Sequence, residues 1–189
     1  MKPITAAAAA LLLAAPALAL AAGGDPAAGK RKTVTCNGCH GQAGMKSVPS
    51  LGGQQQDYFV AVMVAYQDGV RSHATMRDVA KAFSIRDFKN FAAWYADGVP
   101  PVPAPTDETT PAVAERCAAC HGIEGRRPQT AATPVLAGQK APYLEQTLRE
   151  YRDGTRKHGI MQPQAEGLAD EEIVALAGYF ASRPGLFVK

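Results

Sequence analysis

Four cysteines stand in two pairs, Cys36-Asn37-Gly38-Cys39 and Cys117-Ala118-Ala119-Cys120, and each pair is followed at once by a histidine, His40 and His121. Two thiols three positions apart, with an imidazole next in line, match the attachment pattern of c-type haem: the thiols add across two porphyrin vinyl groups and the imidazole faces the iron. Disulfides are the default use of four cysteines in an exported chain, but the fixed CxxCH grouping gives them no role. A structural zinc site needs more thiols or a tetrahedral His/Cys set, and a thioredoxin-like redox pair needs a βαβ setting; neither is present in the pattern. The expectation is two haem c groups, attached through Cys36, Cys39, Cys117 and Cys120, with His40 and His121 as the first axial ligands.

The second axial position decides the chemistry. A thioether there keeps the iron low-spin and raises its reduction potential, whereas an open position admits exogenous ligands. Among five methionines, Met45 and Met63 have no counterpart in the other half of the chain, while Met76 and Met161 correspond, 36 and 40 residues after their histidines. Met76 and Met161 are therefore the expected iron ligands. Their rivals are His73 and His158, each three residues earlier and also matched between halves; surface roles or places near the haem propionates suit them better. Arg71, Arg156, Tyr66 and Tyr151 offer the donors that propionate carboxylates take, with helix-end charges and core aromatics as the alternative reading. Trp94 and Tyr179 read as packing residues beside the haem.

These correspondences reflect an internal repeat. The CxxCHG segments lie 81 residues apart; downstream the offset is 85, pairing Pro49, Leu51, Gly53 and Gln54 with Pro134, Leu136, Gly138 and Gln139, Tyr58 with Tyr143, and Tyr66, Asp68, Gly69 and Arg71 with Tyr151, Asp153, Gly154 and Arg156. Four extra residues near Arg126–Thr133 account for the change. A proline-rich stretch at 97–110 reads as an extended connector. The expected organisation is residues 22–96, linker 97–110, and residues 111–189.

The elements that must position the ligands read the same way in both repeats. Asp25-Pro26 and Thr110-Pro111 open a short helix leading into CxxCH. A second helix spans Gln56–Asp68 or Pro142–Asp153, stopped by Gly69 or Gly154. The last carries a buried stripe, Phe88, Phe91, Ala92 and Tyr95 or Ile173, Leu176, Ala177 and Phe180, with Ser84 and Asp87, and Asp170, as caps. No segment alternates with period two, so the fold class is all-α: two tandem domains, each wrapped around a covalently attached haem. Units of roughly 80 residues have marginal cores, which a cofactor would complete.

Composition narrows the partners. The 189 residues hold 20 Lys+Arg against 17 Asp+Glu, with 47% hydrophobic and 7% aromatic side chains, which gives neither the basic stripe nor the stacking platforms of a nucleic-acid binder. Residues 22–105 carry 9 basic and 6 acidic side chains and residues 106–189 carry 10 and 11, which points to separate docking faces and an acidic partner for the first half. Lys2, the apolar run Ala6–Ala15, Pro16 and Ala19-Leu20-Ala21 read as a signal peptide, residues 1–21, cleaved after Ala21, with an uncleaved membrane anchor as the alternative.

With the paired CxxCH, Pro49-Ser50-Leu51-Gly52-Gly53-Gln54 and Pro134-Val135-Leu136-Ala137-Gly138-Gln139, Tyr-x-Asp-Gly at 66–69 and 151–154, and the paired methionines, the whole mature chain resembles the dihaem cytochromes c of the cytochrome c4 family. The second repeat follows the pattern through Met161-Gln162-Pro163; in the first, Asp78 stands where the second has Pro163. The resemblance implies two class I cytochrome c domains with His/Met-ligated haems, related by a pseudo-twofold axis. It also implies a periplasmic electron carrier, not an enzyme, taking electrons from a bc1-type complex or a dehydrogenase and passing them to a terminal oxidase, with peripheral association with membrane complexes. The alternatives are a dihaem subunit of a periplasmic dehydrogenase and, further off, a haem peroxidase or sensor.

Overall fold

The computed structural model describes residues 23–41, 45–98 and 110–189. The expected signal peptide and positions 99–109 of the expected linker lie outside them.

Nine α-helices make up the described residues: α1 (Pro26–Lys32), α2 (Asn37–His40), α3 (Gln56–Gln67), α4 (Ala74–Lys81), α5 (Ile85–Ala96), α6 (Ala112–His121), α7 (Ala141–Arg152), α8 (Met161–Glu166) and α9 (Asp170–Ser182). The all-α expectation holds. Asp25 caps α1 as its spacing from Pro26 requires, its carboxylate accepting from the Ala27 amide at 2.8 Å. Gly69 and Gly154 follow α3 and α7 at φ +76° and +73°, the left-handed backbone that ends a helix and that glycine adopts without strain. Two caps depart from expectation. The Thr110 hydroxyl turns to the Tyr179 phenol at 3.2 Å, leaving Pro111 at the start of α6. Asp170 is the first residue within α9 and pairs with Arg152 at 2.8 Å, while Glu172 reaches back to the Ala169 amide at 2.9 Å.

The predicted stripes build the cores. Phe88, Phe91, Ala92 and Tyr95 of α5 pack with Phe59, Met63, Tyr66 and Ala80 in one cluster; Ile173, Leu176, Ala177 and Phe180 of α9 pack with Ala114, Leu144, Tyr151, Ala165, Leu168 and Tyr179 in the other. The 3.6-residue period puts every third or fourth apolar residue on one face, and that face is where α5 meets α1 and α3, and α9 meets α7. Trp94, expected as a packing residue, packs against the first cluster with the ammonium of Lys189 3.9 Å from its ring centre.

Ser84 and Asp87 form the expected capping box at the start of α5, and Asp87 also pairs with Lys32 of α1. The lysine and the Ser84 donors stabilise the charged carboxylate, lowering its pKa from 3.8 to about 2. A carboxylate held below its ordinary value contributes stability that is present above the ordinary value and is lost as pH falls through the folded-state value. Asp87→Asn should therefore lower the melting temperature at neutral pH, with the gap to wild type closing between pH 3.8 and about 2. Melting curves of both proteins across that range check it; a gap unchanged at pH 2 contradicts the assignment.

The two repeats are joined by crossed contacts. Gln54 grips the backbone of Val135, accepting from its amide at 2.9 Å and donating to its carbonyl at 3.2 Å, while Gln139 grips the backbone of Ser50 in the same way, at 2.8 and 3.1 Å. Positions 50 and 135, and 54 and 139, are repeat partners, so the contact from first to second recurs from second to first, which is what a twofold relation produces. The C-terminal segment breaks that symmetry. Leu186 donates to Ala137 at 2.7 Å, and Phe187 next to it exchanges two 3.0 Å bonds with Gly52, the repeat partner of Ala137. The tail thus runs between equivalent backbone points of the two repeats, and the Phe187 ring lies so close that a Cβ on Gly52 would meet it at 2.8 Å.

Candidate haem-binding site

The CxxCH segments sit at helix ends. In the second repeat α6 runs unbroken through Cys117 and Cys120 to His121; in the first, α1 gives way to a 3-10 turn at Thr33–Thr35 before α2 carries Cys39 and His40. All four cysteines are free; Cys36 and Cys117 are half-buried and Cys39 and Cys120 exposed, so each pair spans from core to surface. Burial pushes the Cys36 and Cys117 thiols above their ordinary range, as expected of groups facing an apolar interior.

The histidines are held in one defined tautomer. His40 Nδ1 lies 2.9 Å from the Pro49 carbonyl and His121 Nδ1 lies 2.8 Å from the Pro134 carbonyl. A carbonyl only accepts, so Nδ1 carries the proton and Nε2 keeps its lone pair. Burial lowers both pKa values, outweighing the hydrogen bonds to the proline carbonyls, which keeps the rings neutral. Neutral imidazole with a free Nε2 and its other nitrogen anchored to backbone is what a metal ligand needs.

His73 and His158 are held the opposite way. Nδ1 of His73 accepts from the Met76 amide at 3.3 Å, and Nδ1 of His158 accepts from the Met161 amide at 3.2 Å. An amide only donates, so here Nδ1 is occupied by the backbone. Both rings are exposed. Met76 and Met161, by contrast, are half-buried against the first and second cores. Met45 is exposed and Met63 is packed inside the first cluster, as their lack of repeat partners implied. Asp78 lies exposed on α4, 3.4 Å from Arg77.

Between the repeats lies a feature that sequence reasoning reached only in part. The Arg71 guanidinium stacks 4.6 Å over Tyr66 and donates at 3.0 Å to the Tyr143 hydroxyl of the other repeat; Arg156 stacks 4.6 Å over Tyr151, donates to the Thr147 hydroxyl at 3.1 Å and sits beside the Tyr58 and Tyr143 phenols, where its charge favours the phenolate form. The partners that cross between repeats are Tyr58 and Tyr143, matched by the repeat but given no role in the sequence; Tyr66 and Tyr151 supply the stacking faces. Burial raises Tyr66 and Tyr151 to about 12. At Tyr143 burial acts in the same direction but is outweighed by Arg71 and Arg156, which pull the phenol down. Among the described residues no carboxylate pairs with Arg71 or Arg156. Two half-buried cations without a paired carboxylate are costly unless an anion is brought in, and haem propionates are anions of the chemistry a guanidinium takes. Thiol pairs, neutral histidines with free Nε2, half-buried thioethers and an anion-seeking interface together fit two haem c groups.

Comparisons with known proteins agree. The Cytochrome c family model matches residues 110–183. The chain is 32% identical to a cytochrome c4 of Pseudomonas aeruginosa over 84% of this chain and 88% of that protein, and 30% identical to a thiosulfate dehydrogenase electron acceptor of Thiomonas intermedia over 89% and 87%. Its fold superposes on the crystal structure of reduced recombinant cytochrome c4 from Pseudomonas stutzeri with a TM-score of 0.70 and 26% identity, covering 87% of this chain and all of that one. The chain belongs to the cytochrome c4 family of dihaem cytochromes c and is an electron carrier, not an enzyme.

Proposed function

We propose that His40 with Met76, and His121 with Met161, are the axial ligands of the two irons, that Cys36, Cys39, Cys117 and Cys120 hold the haems covalently, and that the carrier works in the periplasm. On this reading the domains are residues 22–96 and 111–189, joined by the linker at 97–110, and the chain moves electrons from a bc1-type complex or a dehydrogenase to a terminal oxidase. The observation that carries the ligand assignment is the opposed tautomers: at repeat-matched positions one histidine pair leaves Nε2 free and the other has Nδ1 tied to a methionine amide.

Bound haem supplies a one-electron ferric–ferrous couple. The chain does the rest. Proline carbonyls fix the imidazoles, the half-buried Met76 and Met161 thioethers would hold each iron together with them and favour its ferrous state, and the packed helices would limit rearrangement on electron transfer. The guanidiniums of Arg71 and Arg156 would balance propionate charge, and the Tyr58 and Tyr143 hydroxyls would offer further donors. The first domain's excess of basic side chains, 9 against 6 acidic in residues 22–105, suits an acidic redox partner. No helix among the described residues is long and apolar enough to cross a membrane. The similarity to thiosulfate dehydrogenase electron acceptors favours a sulfur-compound dehydrogenase as donor, free in solution or as a stable complex.

A potentiometric titration of the visible spectrum, made on protein matured with both haems, tests this. Two haems titrating at positive potential, both showing the far-red methionine-to-ferric band and neither binding CO, are expected. A haem at low potential that binds CO overturns the ligand assignment in its domain.

A further inference from the structure

We propose that His73 and His158 are positioning residues that hold the ligand methionines in place by clamping their backbone amides. The proposal rests on the assignment of Met76 and Met161 as axial ligands. In each repeat one imidazole does two things. Its Nδ1 accepts from the methionine amide, at 3.3 Å for Met76 and 3.2 Å for Met161, and its ring stands edge-on to a core tyrosine, Tyr66 at 6.3 Å and 70° or Tyr151 at 6.1 Å and 72°. The carbonyl of the same histidine accepts from the next amide, Arg77 at 2.9 Å or Gln162 at 3.0 Å; His73 is the N-cap of α4, while His158 stands three residues before the first residue of α8.

This cap persists although its surroundings differ. Ala74-Thr75 follows His73 and Gly159-Ile160 follows His158; α4 has eight residues and α8 six; Asp78 faces Pro163 in the repeat. His158 takes the Ile160 amide at 3.3 Å as well, and the residue at the α8 N-cap, Ile160, offers no acceptor of its own. A six-residue helix has little intrinsic stability, so its first turn depends on such contacts.

The need for the clamp follows from the ligand. A methionine side chain has three rotatable bonds and adapts to any gap, so it does not by itself define where its sulfur sits. Fixing the amide fixes the Cα, and with it the arc the sulfur can reach. Ser, Thr, Asn and Asp are the usual caps because their oxygens sit close to the backbone. An imidazole reaches further: while capping, it also meets the face of a tyrosine that is buried in the core and carries Arg71 or Arg156 on its ring. The methionine turn is thereby tied to the core and, through the arginine, to the contact between domains.

Two substitutions separate the acceptor from the stack. In dihaem protein, His158→Phe keeps a ring for Tyr151 but removes the acceptor; His158→Asn restores an acceptor without the ring. The same pair is made at His73. The readouts are the far-red methionine-to-ferric band and imidazole binding to the ferric protein, which must displace the methionine. The Phe variants should lose band intensity and bind imidazole roughly fivefold to tenfold more tightly in the altered domain, with the Asn variants close to wild type. Phe variants that match wild type, or Asn variants as impaired as Phe, overturn the clamp while leaving the ligand assignment intact. A wild-type protein without the band overturns the assignment and this role together. Amide hydrogen exchange of Met76 and Met161 in wild type covers the case of a variant that does not mature: slow exchange is expected, and exchange at the rate of an unprotected amide overturns the clamp.

Discussion

Replacing Met161 by Ala should lower one of the two reduction potentials by on the order of 0.1 V or more, a fraction of the ~0.8 V span that axial ligation commands, and leave the other nearly unchanged. The ferrous variant should take up one CO per chain. The physical reason is that thioether sulfur, a soft and weakly basic donor, stabilises ferrous over ferric iron, and its removal returns the sixth position to water or an exogenous ligand. Met161 is half-buried against Ala165, Leu168 and the rest of the second core, so the substitution also leaves a space at the edge of a cluster rather than inside it, and the fold should survive. Met76→Ala should give the complementary result on the other haem. Because Met76 and Met161 sit in equivalent turns, each three residues after a histidine that holds its amide, the two variants should shift their own haem by similar amounts. Spectroelectrochemical titration of both variants decides it, and a Met161→Ala titration with both waves unmoved would remove this residue from the iron.

The cofactor and the helices were readable from the chain because they depend on local signals. CxxCH is a short pattern with one dominant chemistry, the stripe of α5 and α9 is a period, and Gly69 and Gly154 are stops that act within one turn. Thr110 was misread as a cap because a threonine before a proline is a good local candidate, but a tertiary partner, the Tyr179 hydroxyl, takes it instead. The lysine that covers Trp94 was hidden for a similar reason: it comes from the far end of the chain. The tyrosines that cross between domains, Tyr58 and Tyr143, and the glutamines at 54 and 139 carry no local signal at all. Only the repeat marked them, by pairing polar residues at equal offsets where a single domain would have no need of them. The expectation of Met76 and Met161 over His73 and His158 likewise came from the repeat, whereas which nitrogen of each ring meets a carbonyl and which meets an amide is set by tertiary contacts.

Gln139 offers the sharpest test of how the two domains are held together. It is 4% exposed, and its amide satisfies both backbone groups of Ser50, itself 4% exposed. Gln139→Leu keeps most of the volume but strands a buried amide and a buried carbonyl at once. Each unpaired group costs about 1–3 kcal/mol, so a destabilisation of about 2–4 kcal/mol is expected after partial relaxation. The equivalent change on the other side, Gln54→Leu, frees Val135, which is half-buried; water can reach part of that backbone, so the loss should be smaller. Near-perfect symmetry of contact therefore does not give symmetry of energy. The double variant should cost less than the sum of the singles, because both glutamines act on one interface and an interface parted by the first loss has little left for the second to break. Denaturant unfolding of the four dihaem proteins measures all three quantities. Gln139→Leu within about 0.5 kcal/mol of wild type, the range of an ordinary surface change, would mean that the backbone bridge between Phe187 and Gly52 and the Arg71–Tyr143 contact hold the domains on their own.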